Sequence, residues 1–149
     1  VNGYYKELYK KLSAVQAMDD YKPMFDSAAA LADVLSVKAE LGVKTRAAYL
    51  AGDNKTLKGI AENDYTAAID KLKAFYIAFR RFWFFENKPH GFDVQDIRLG
   101  GLIMRLESCR ERILSYCEDK SNTIPELSEP VLEDERSKSW NNIVTANVI

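Results

Sequence analysis

The amino-acid sequence predicts an all-α fold: a bundle of about four long antiparallel helices that ends in an irregular acidic C-terminal tail. Apolar residues recur at helical spacing along four long segments, and no segment alternates as β-strands do. The chain has 149 residues, of which 47% are hydrophobic and 29% charged. This composition suits one domain with a substantial core. We expect residues 1–120 to form the bundle and residues 121–149 to form a tail docked at its end.

A proline separates the first two predicted helices. One helix runs from about Tyr4 to Met18, and Pro23 then disfavours helical backbone in the residue before it. The next runs from about Met24 to Leu50, and alanines on its apolar stripe allow a neighbouring helix to approach closely. We expect Gly52 to end this helix and Asp53 to cap the helix that follows.

Two further long helices are predicted, separated by the helix stop Asn-Lys-Pro-His-Gly at residues 87–91. The third helix runs from about Asn54 to Glu86, with a kink near Gly59 or Asn63. The fourth runs from about Asp93 to Glu118. Both carry the apolar stripe of a helix that packs on a core.

The helical pattern fades beyond Lys120. Residues 118–138 contain seven acidic and three basic side chains with two prolines, which is typical of an extended, solvated segment. Residues 140–149 are apolar again, as at Ile143 and Val148. We therefore expect this end of the chain to dock on the bundle.

The end of the third helix is the most informative segment. Seven of the eleven residues 75–85 are aromatic, so this helix must be covered on more than one side. A bundle core has room for about one face of each helix, and some of these rings must therefore stay exposed as an interaction surface. The predicted surface, the aromatic patch, consists of Arg80, Trp83, Phe84, Phe85, His90 and Phe92.

The fourth helix contains two adjacent glycines, Gly100 and Gly101. Each glycine costs about 1 kcal/mol relative to alanine in a helix interior. We expect close packing against the aromatic helix to offset that cost.

The turn and the start of the fourth helix resemble a known family. The residues that carry the resemblance are Asn87-Lys88-Pro89, Gly91-Phe92-Asp93-Val94, Asp96-Ile97-Arg98-Leu99-Gly100-Gly101-Leu102, Arg105 and Ile124-Pro125-Glu126-Leu127. They are similar to the C-terminal helical region of bacterial family 20 glycoside hydrolases, the β-N-acetylhexosaminidases. The resemblance covers roughly residues 75–130, and residues 1–74 only by their helical character. Its structural motif comprises Pro89, Gly91, Asp93, Asp96, Arg98, Gly100, Gly101 and Arg105.

This resemblance implies a non-catalytic accessory domain of a larger hydrolase that acts in carbohydrate metabolism. Its partner would be the catalytic barrel of the same polypeptide, and a homodimer stays open. The family's His-x-Gly-x-Asp-Glu motif is absent, and Asp134-Glu135 follows no strand, so we predict no catalytic residue in this chain. Two alternatives remain: a free-standing helical protein-interaction module, and a small helical enzyme or ligand-binding protein.

Arg98 and Arg105 lie seven residues apart on one face of the fourth helix. We expect them to form ion pairs within or between helices. The alternative is that one arginine is presented to an attached barrel domain or to a sugar. The carboxylates within reach belong to Asp93, Asp96, Glu107 and Glu111.

The composition argues against several classes of function. The net charge of −1 provides no field for nucleic acid, and no wider basic patch surrounds Arg80-Arg81. No apolar run approaches the roughly 18 residues of a membrane span. His90 is the only histidine, and it has no zinc-ligand spacing with Cys109 and Cys117. We therefore predict no metal, no cofactor, no nucleic-acid partner and no membrane partner.

The two cysteines bear on the cellular compartment. Cys109 and Cys117 lie on one predicted helix with Cα atoms about 12 Å apart, beyond the roughly 7 Å that a disulfide can span. Unpaired thiols favour a reducing compartment and therefore the cytoplasm. The chain begins at Val1 without Met, as an excised piece would, so a secreted or periplasmic parent protein stays open.

Overall fold

The protein is all-α in a computed structural model that describes residues 1–16 and 19–130. No strand occurs in those ranges, and the predicted fold class is confirmed. The helices are α1 (Asn2–Ser13), α2 (Lys22–Lys38), α3 (Leu41–Leu50), α4 (Asn54–Gly59), a π-helical segment (Ile60–Tyr65), α5 (Thr66–Glu86), α6 (Phe92–Glu118) and α7 (Pro125–Ser128).

The four long helices are neighbours in the order α1, α2, α5 and α6. Side chains early in α2 meet side chains late in α5, since Asp26 pairs with Arg81 and Asp33 with Lys71. The earlier residue of α2 pairs with the later residue of α5, and the later with the earlier, so the two helices are antiparallel. Among the described elements, α1 contacts only α2, and α2 does not reach α6. Within residues 1–16 and 19–130, no other long helix therefore covers the outer faces of α5 and α6.

The core lies at one end of the long helices. There α3, α4 and the π-helical segment pack against the first half of α5 and the second half of α6. Leu57, Ala61 and Ala68 are fully inaccessible to solvent at its centre. Alanine at two of these positions lets the helix backbones approach closely, as in ridge-into-groove packing.

The second predicted helix is wrong as a single element, because it breaks at Ala39 and Glu40 into α2 and α3. The break turns the backbone so that Leu41 and Thr45 enter the core, with 3% and 2% of their surface exposed. The Thr45 hydroxyl donates a hydrogen bond of 2.8 Å to the Leu41 carbonyl oxygen. Apolar burial on this new face outweighs continuation of the straight helix.

The third predicted helix spans Asn54 to Glu86 as expected, but its second turn is π-helical. The Asp53 carboxylate accepts a hydrogen bond from the Thr56 amide at 3.0 Å, so the predicted cap is confirmed. The Asn63 side chain donates to the Gly59 carbonyl oxygen at 2.9 Å. The irregularity thus falls where the sequence predicted a kink, and such insertions into the backbone ladder bend helices.

The first helix is shorter than predicted. It ends at Ser13 rather than near Met18, which lies outside the described residues. None of its side chains is fully buried, since α2 is its only partner among the described elements. Most of the stability of a helix in a protein comes from tertiary packing, so a helix with so little burial gains little free energy from a further turn.

The described start of the tail packs on the bundle. Ile124 is buried with 6% exposure, and its amide donates to the Tyr49 hydroxyl at 3.1 Å. Arg112 forms two hydrogen bonds of 2.8 Å to the Glu126 carboxylate. The predicted docking of the apolar end at residues 140–149, and the Asp134-Glu135 pair, lie outside the described residues.

We expect the Arg112–Glu126 pair to make stability depend on pH. Arg112 lowers the pKa of Glu126 from 4.5 to about 2, chiefly through its hydrogen bonds. A depressed carboxyl pKa stabilises the folded state above the ordinary pKa, and this contribution disappears as the pH falls towards 2. The free energy of unfolding, measured with urea between pH 6 and about 2, should therefore fall as the pH falls. This fall should be smaller in the Glu126→Gln variant.

The expected loss is modest, because 59% of the Glu126 side chain is exposed. The control is a double-mutant cycle that adds Arg112→Gln, which isolates the pair from other titrating groups. Identical pH profiles for the parent chain and Glu126→Gln would show that the pair does not contribute.

Candidate functional site

Phe92 is the centre of an aromatic cluster where α5 ends and α6 begins. Only 3% of its surface is exposed. Its ring centroid lies 5.1 Å from that of Phe84 and 5.7 Å from that of Trp83. The centroids of Tyr76 and Phe79 are each 6.0 Å away. All four centroid distances lie in the range of interacting aromatic pairs, so this cluster joins the end of α5 to the start of α6.

The turn between α5 and α6 is shaped by the backbone conformation of one glycine and by two hydrogen bonds to backbone carbonyl oxygens. Gly91 has φ of 91°, in the left-handed region that favours glycine. The Phe92 amide donates to the Pro89 carbonyl oxygen at 3.2 Å. The Trp83 indole N–H donates to the Lys88 carbonyl oxygen at 3.2 Å. These bonds turn Phe92 inward beneath the rings of α5.

The aromatic patch is exposed in part. Phe84 and Phe85 are 41% and 52% exposed, and Trp83 is half-buried. The Arg80 guanidinium lies 5.6 Å from the centroid of the Phe84 ring, within cation–π distance. His90 is exposed. Phe92 is buried, so its predicted place in an exposed patch is wrong.

The adjacent glycines of α6 do not pack against α5. A Cβ atom added at Gly100 or Gly101 would meet no heavy atom of the described residues within 4 Å. The expectation that the aromatic helix covers these glycines is therefore wrong. On the same side of α6, Ile97 is 47% exposed and Met104 62% exposed. We call Ile97, Gly100, Gly101 and Met104 the glycine face.

The carboxylates and arginines of α6 divide between two edges of the helix. Asp96 accepts a hydrogen bond of 2.8 Å from the Tyr76 hydroxyl of α5, and this bond raises the pKa of Tyr76. Glu107 pairs with Arg110 at 2.9 Å and lies 3.9 Å from Lys73 of α5. The acidic edge of α6 therefore faces α5.

Arg98 and Arg105 form no ion pair within residues 1–16 and 19–130. The predicted ion pairs of Arg98 and Arg105 are therefore wrong within these ranges, and Glu107 pairs with Arg110 instead. Both unpaired guanidinium groups are exposed. Arg105 lies near Glu126, where its charge adds to the hydrogen bonds of Arg112 in lowering the pKa of the Glu126 carboxyl.

Two depressions adjoin α6. A groove of about 200 Å³ lies between α5 and α6 and is lined by Tyr76, Asp96, Gly100 and Ile103. A second cavity, of about 120 Å³, lies under α7, and its lining includes Arg105, Thr45 and Tyr65. The hydroxyls of Thr45 and Tyr65 lie 3.4 Å apart there, and burial raises the pKa of Tyr65.

The described residues hold no group of three or more metal-binding side chains. None of their helices is long and apolar enough to cross a membrane. The two cysteines are free and half-buried, and burial raises the pKa of the Cys117 thiol.

The comparison with protein families identifies the chain. A model described as the Glycoside Hydrolase 20C C-terminal domain matches residues 1–145. The chain belongs to this family. The resemblance at residues 75–130 is confirmed, and the family also includes the first half of the chain.

A glycoside hydrolase 20C C-terminal domain implies a catalytic domain in the same polypeptide. The comparison with curated proteins finds no match. The exposed apolar surfaces of the described residues include the aromatic patch and the glycine face. The glycine face was missed in the sequence, although Ile97, Gly100, Gly101 and Met104 recur at helical spacing opposite the buried Leu106.

Proposed function

We propose that this chain is a non-catalytic accessory domain of a β-N-acetylhexosaminidase-like glycoside hydrolase. It supports the catalytic barrel, or the contacts of a dimer, through the aromatic patch. The observation that carries this proposal is the exposure of Phe84 and Phe85 beside Arg80 in a domain that belongs to this family. Adjacent exposed apolar side chains commonly mark interaction surfaces.

The composition of the aromatic patch suits a contact between protein domains. Aromatic residues and arginine are the side chains that contribute most at such contacts. The aromatic cluster around the buried Phe92 holds the rings of Trp83 and Phe84 in place. A preformed surface loses little side-chain entropy when it is covered, so more of the contact energy contributes to stability.

The sequence also supports the absence of catalysis in this chain. The catalytic acid and the acetamide-orienting residue of family 20 enzymes are an adjacent Asp-Glu pair, and the motif that contains them is absent. Two carboxylates on α6 serve structural contacts, since Asp96 bonds Tyr76 and Glu107 pairs with Arg110. The catalytic pair therefore belongs to the other domain of the polypeptide.

We expect the 149-residue chain alone to release no p-nitrophenol from p-nitrophenyl N-acetyl-β-D-glucosaminide, while the full-length protein does. In the full-length protein, Phe84→Ser with Phe85→Ser should lower the melting temperature of the catalytic domain, because the covered patch is lost. The control is Val43→Ser, which alters an apolar side chain on α3 that is 75% exposed. Glycosidase activity in the 149-residue chain, or equal melting temperatures for both variants, would contradict the proposal.

A further inference from the structure

The cavity of about 120 Å³ under α7 has a buried floor and an exposed, charged rim. We call this cavity the α7 pit. Its lining residues are the buried Thr45, Tyr65, Ile113 and Ile124, the half-buried Cys109 and Leu127, and the exposed Arg105, Arg112 and Glu126. Ligand sites are typically concave and mostly apolar, with a small number of placed polar groups. The α7 pit has this composition on a small scale.

The Tyr65 hydroxyl in the floor has no close hydrogen-bond acceptor. Only 6% of Tyr65 is exposed, and its hydrogen-bond partner among the described residues is the Thr45 hydroxyl, 3.4 Å away. A good O–H···O bond spans roughly 2.5–3.0 Å. Thr45 donates its own proton to the Leu41 carbonyl oxygen at 2.8 Å. Burial raises the pKa of Tyr65, so its hydroxyl is protonated at neutral pH and can donate to a molecule in the α7 pit.

Water alone suits the floor of the α7 pit poorly. A buried water needs about two to four polar partners. The buried side chains of the lining offer two hydroxyl groups, those of Thr45 and Tyr65, and the side chains of Ile113 and Ile124 offer none. A molecule with one acceptor oxygen and an apolar remainder therefore matches the floor better than several waters do.

The volume and lining of the floor fit an acetyl group. An apolar cavity of about 150 Å³ holds a molecule of benzene, so the α7 pit, at about 120 Å³, has room for the few heavy atoms of an acetyl group. The carbonyl oxygen of that group would accept a hydrogen bond from Tyr65. Its methyl group would contact Ile113 and Ile124, and this contact would remove apolar surface from water.

The charges at the rim favour a neutral ligand. Arg112 forms two hydrogen bonds of 2.8 Å to the Glu126 carboxylate, and the Arg105 charge also acts on Glu126 and lowers its pKa. Both guanidinium groups are therefore already engaged with a carboxylate. An anion in the α7 pit would lie near Glu126, and this repulsion would offset its attraction to the arginines.

We propose that the α7 pit binds the acetyl group of an N-acetylated sugar, whose carbonyl oxygen accepts the Tyr65 proton and whose methyl group contacts Ile113 and Ile124. The sugar hydroxyls would then lie at the rim, where the Glu126 carboxylate accepts hydrogen bonds and the Arg105 guanidinium donates them. This site lies apart from the aromatic patch and adds a ligand-binding role to the accessory domain. The inference rests on the proposed function only for the sugar that carries the acetyl group.

The test compares two sugars that differ in one substituent. The isotope-labelled 149-residue chain is titrated with N-acetylglucosamine and with glucose, in which a hydroxyl group replaces the acetamido group, and amide signals are followed by NMR. We expect N-acetylglucosamine to shift the signals of Ile113, Ile124 and Leu127 with a Kd in the millimolar range, because few ligand atoms are buried. Glucose should leave these signals unchanged, and acetate should bind at least about fivefold more weakly than N-acetylglucosamine.

Two variants connect binding to the floor of the α7 pit. Tyr65→Phe removes the donor and should raise the Kd about tenfold, as expected for the loss of one hydrogen bond. The matched control is Tyr76→Phe, whose hydroxyl bonds Asp96 outside the α7 pit and should not matter. Cys109→Leu should abolish binding by filling the α7 pit, whereas Cys117→Leu, at the other half-buried cysteine of α6, should leave the Kd unchanged. Far-UV circular dichroism verifies folding, and Tyr65→Phe decides the question if a leucine variant does not fold.

Equal shifts with glucose, or no saturable shifts with N-acetylglucosamine, would overturn the inference. Acetate that binds as tightly as N-acetylglucosamine would overturn it too, because the site would then select a carboxylate. An unchanged Kd in Tyr65→Phe would show that the acetyl group does not reach the floor. None of these results affects the proposed accessory function, because Phe84→Ser with Phe85→Ser tests that function at a different surface.

Discussion

Replacing Phe92 with alanine should lower the free energy of unfolding of this domain by roughly 3–5 kcal/mol. The side chain is 3% exposed and its ring touches four other aromatic rings, those of Tyr76, Phe79, Trp83 and Phe84. Truncation would remove the buried area and leave a cavity that rigid rings cannot close. Urea unfolding followed by far-UV circular dichroism measures the change.

The matched control for this prediction is Phe85→Ala. Phe85 is the same residue type and directly follows Phe84 of the cluster in sequence, but 52% of its surface is exposed. In the 149-residue chain its truncation should change the free energy of unfolding by less than about 1 kcal/mol. If the two variants prove equally stable, Phe92 does not hold the ends of α5 and α6 together.

The helices were largely predictable because their apolar stripes are long, and the break in the second helix shows where that approach fails. Val43 continues the spacing of Leu35 and Ala39, so the stripe predicts one straight helix. In the structure Val43 is 75% exposed, and Leu41 is buried instead. Two apolar faces compete in this segment, and contacts of α3 with α4, α7 and the π-helical segment decide between them. Those contacts are not local in sequence.

The sequence predicted which residues lie near the candidate site, but not which of their side chains are exposed and which are buried. The count of aromatic residues at 75–85 correctly required some exposed rings, and Phe84 and Phe85 are exposed. Phe92 was assigned to the same surface, but the left-handed backbone of Gly91 turns it inward. The glycines of α6 were expected to pack against α5, but no described heavy atom lies within 4 Å of a Cβ added at either position. Which side of a helix is covered depends on tertiary contacts that periodicity alone does not contain.

The core and the aromatic cluster are expected to unfold together, although they lie towards opposite ends of α5. Leu57 is in the core and has no exposed surface, whereas Trp83 is in the aromatic cluster. Phe75 packs against the core and stacks on Phe79 at 5.6 Å, so it joins the two regions. Both α5 and α6 run through both regions. Loss of the packing contacts in one region therefore destabilises the rest of each helix.

Leu57→Ala should therefore lower the free energy of unfolding by roughly 2–5 kcal/mol and shift both regions equally. The measurement follows urea unfolding by Trp83 fluorescence, which reports the aromatic cluster, and by far-UV circular dichroism, which reports all helices. A Trp140→Phe background makes Trp83 the only tryptophan, because the chain has two. Leu50→Ala is the control, since Leu50 is 55% exposed and its truncation should change the free energy of unfolding little.

Coincident midpoints in the Leu57→Ala variant would establish one cooperative domain, because a cavity in the core would then also destabilise the structure around Trp83. A fluorescence midpoint that stays at its parent value while the circular dichroism midpoint falls would show that the end of α5 and the start of α6 fold as a separate unit.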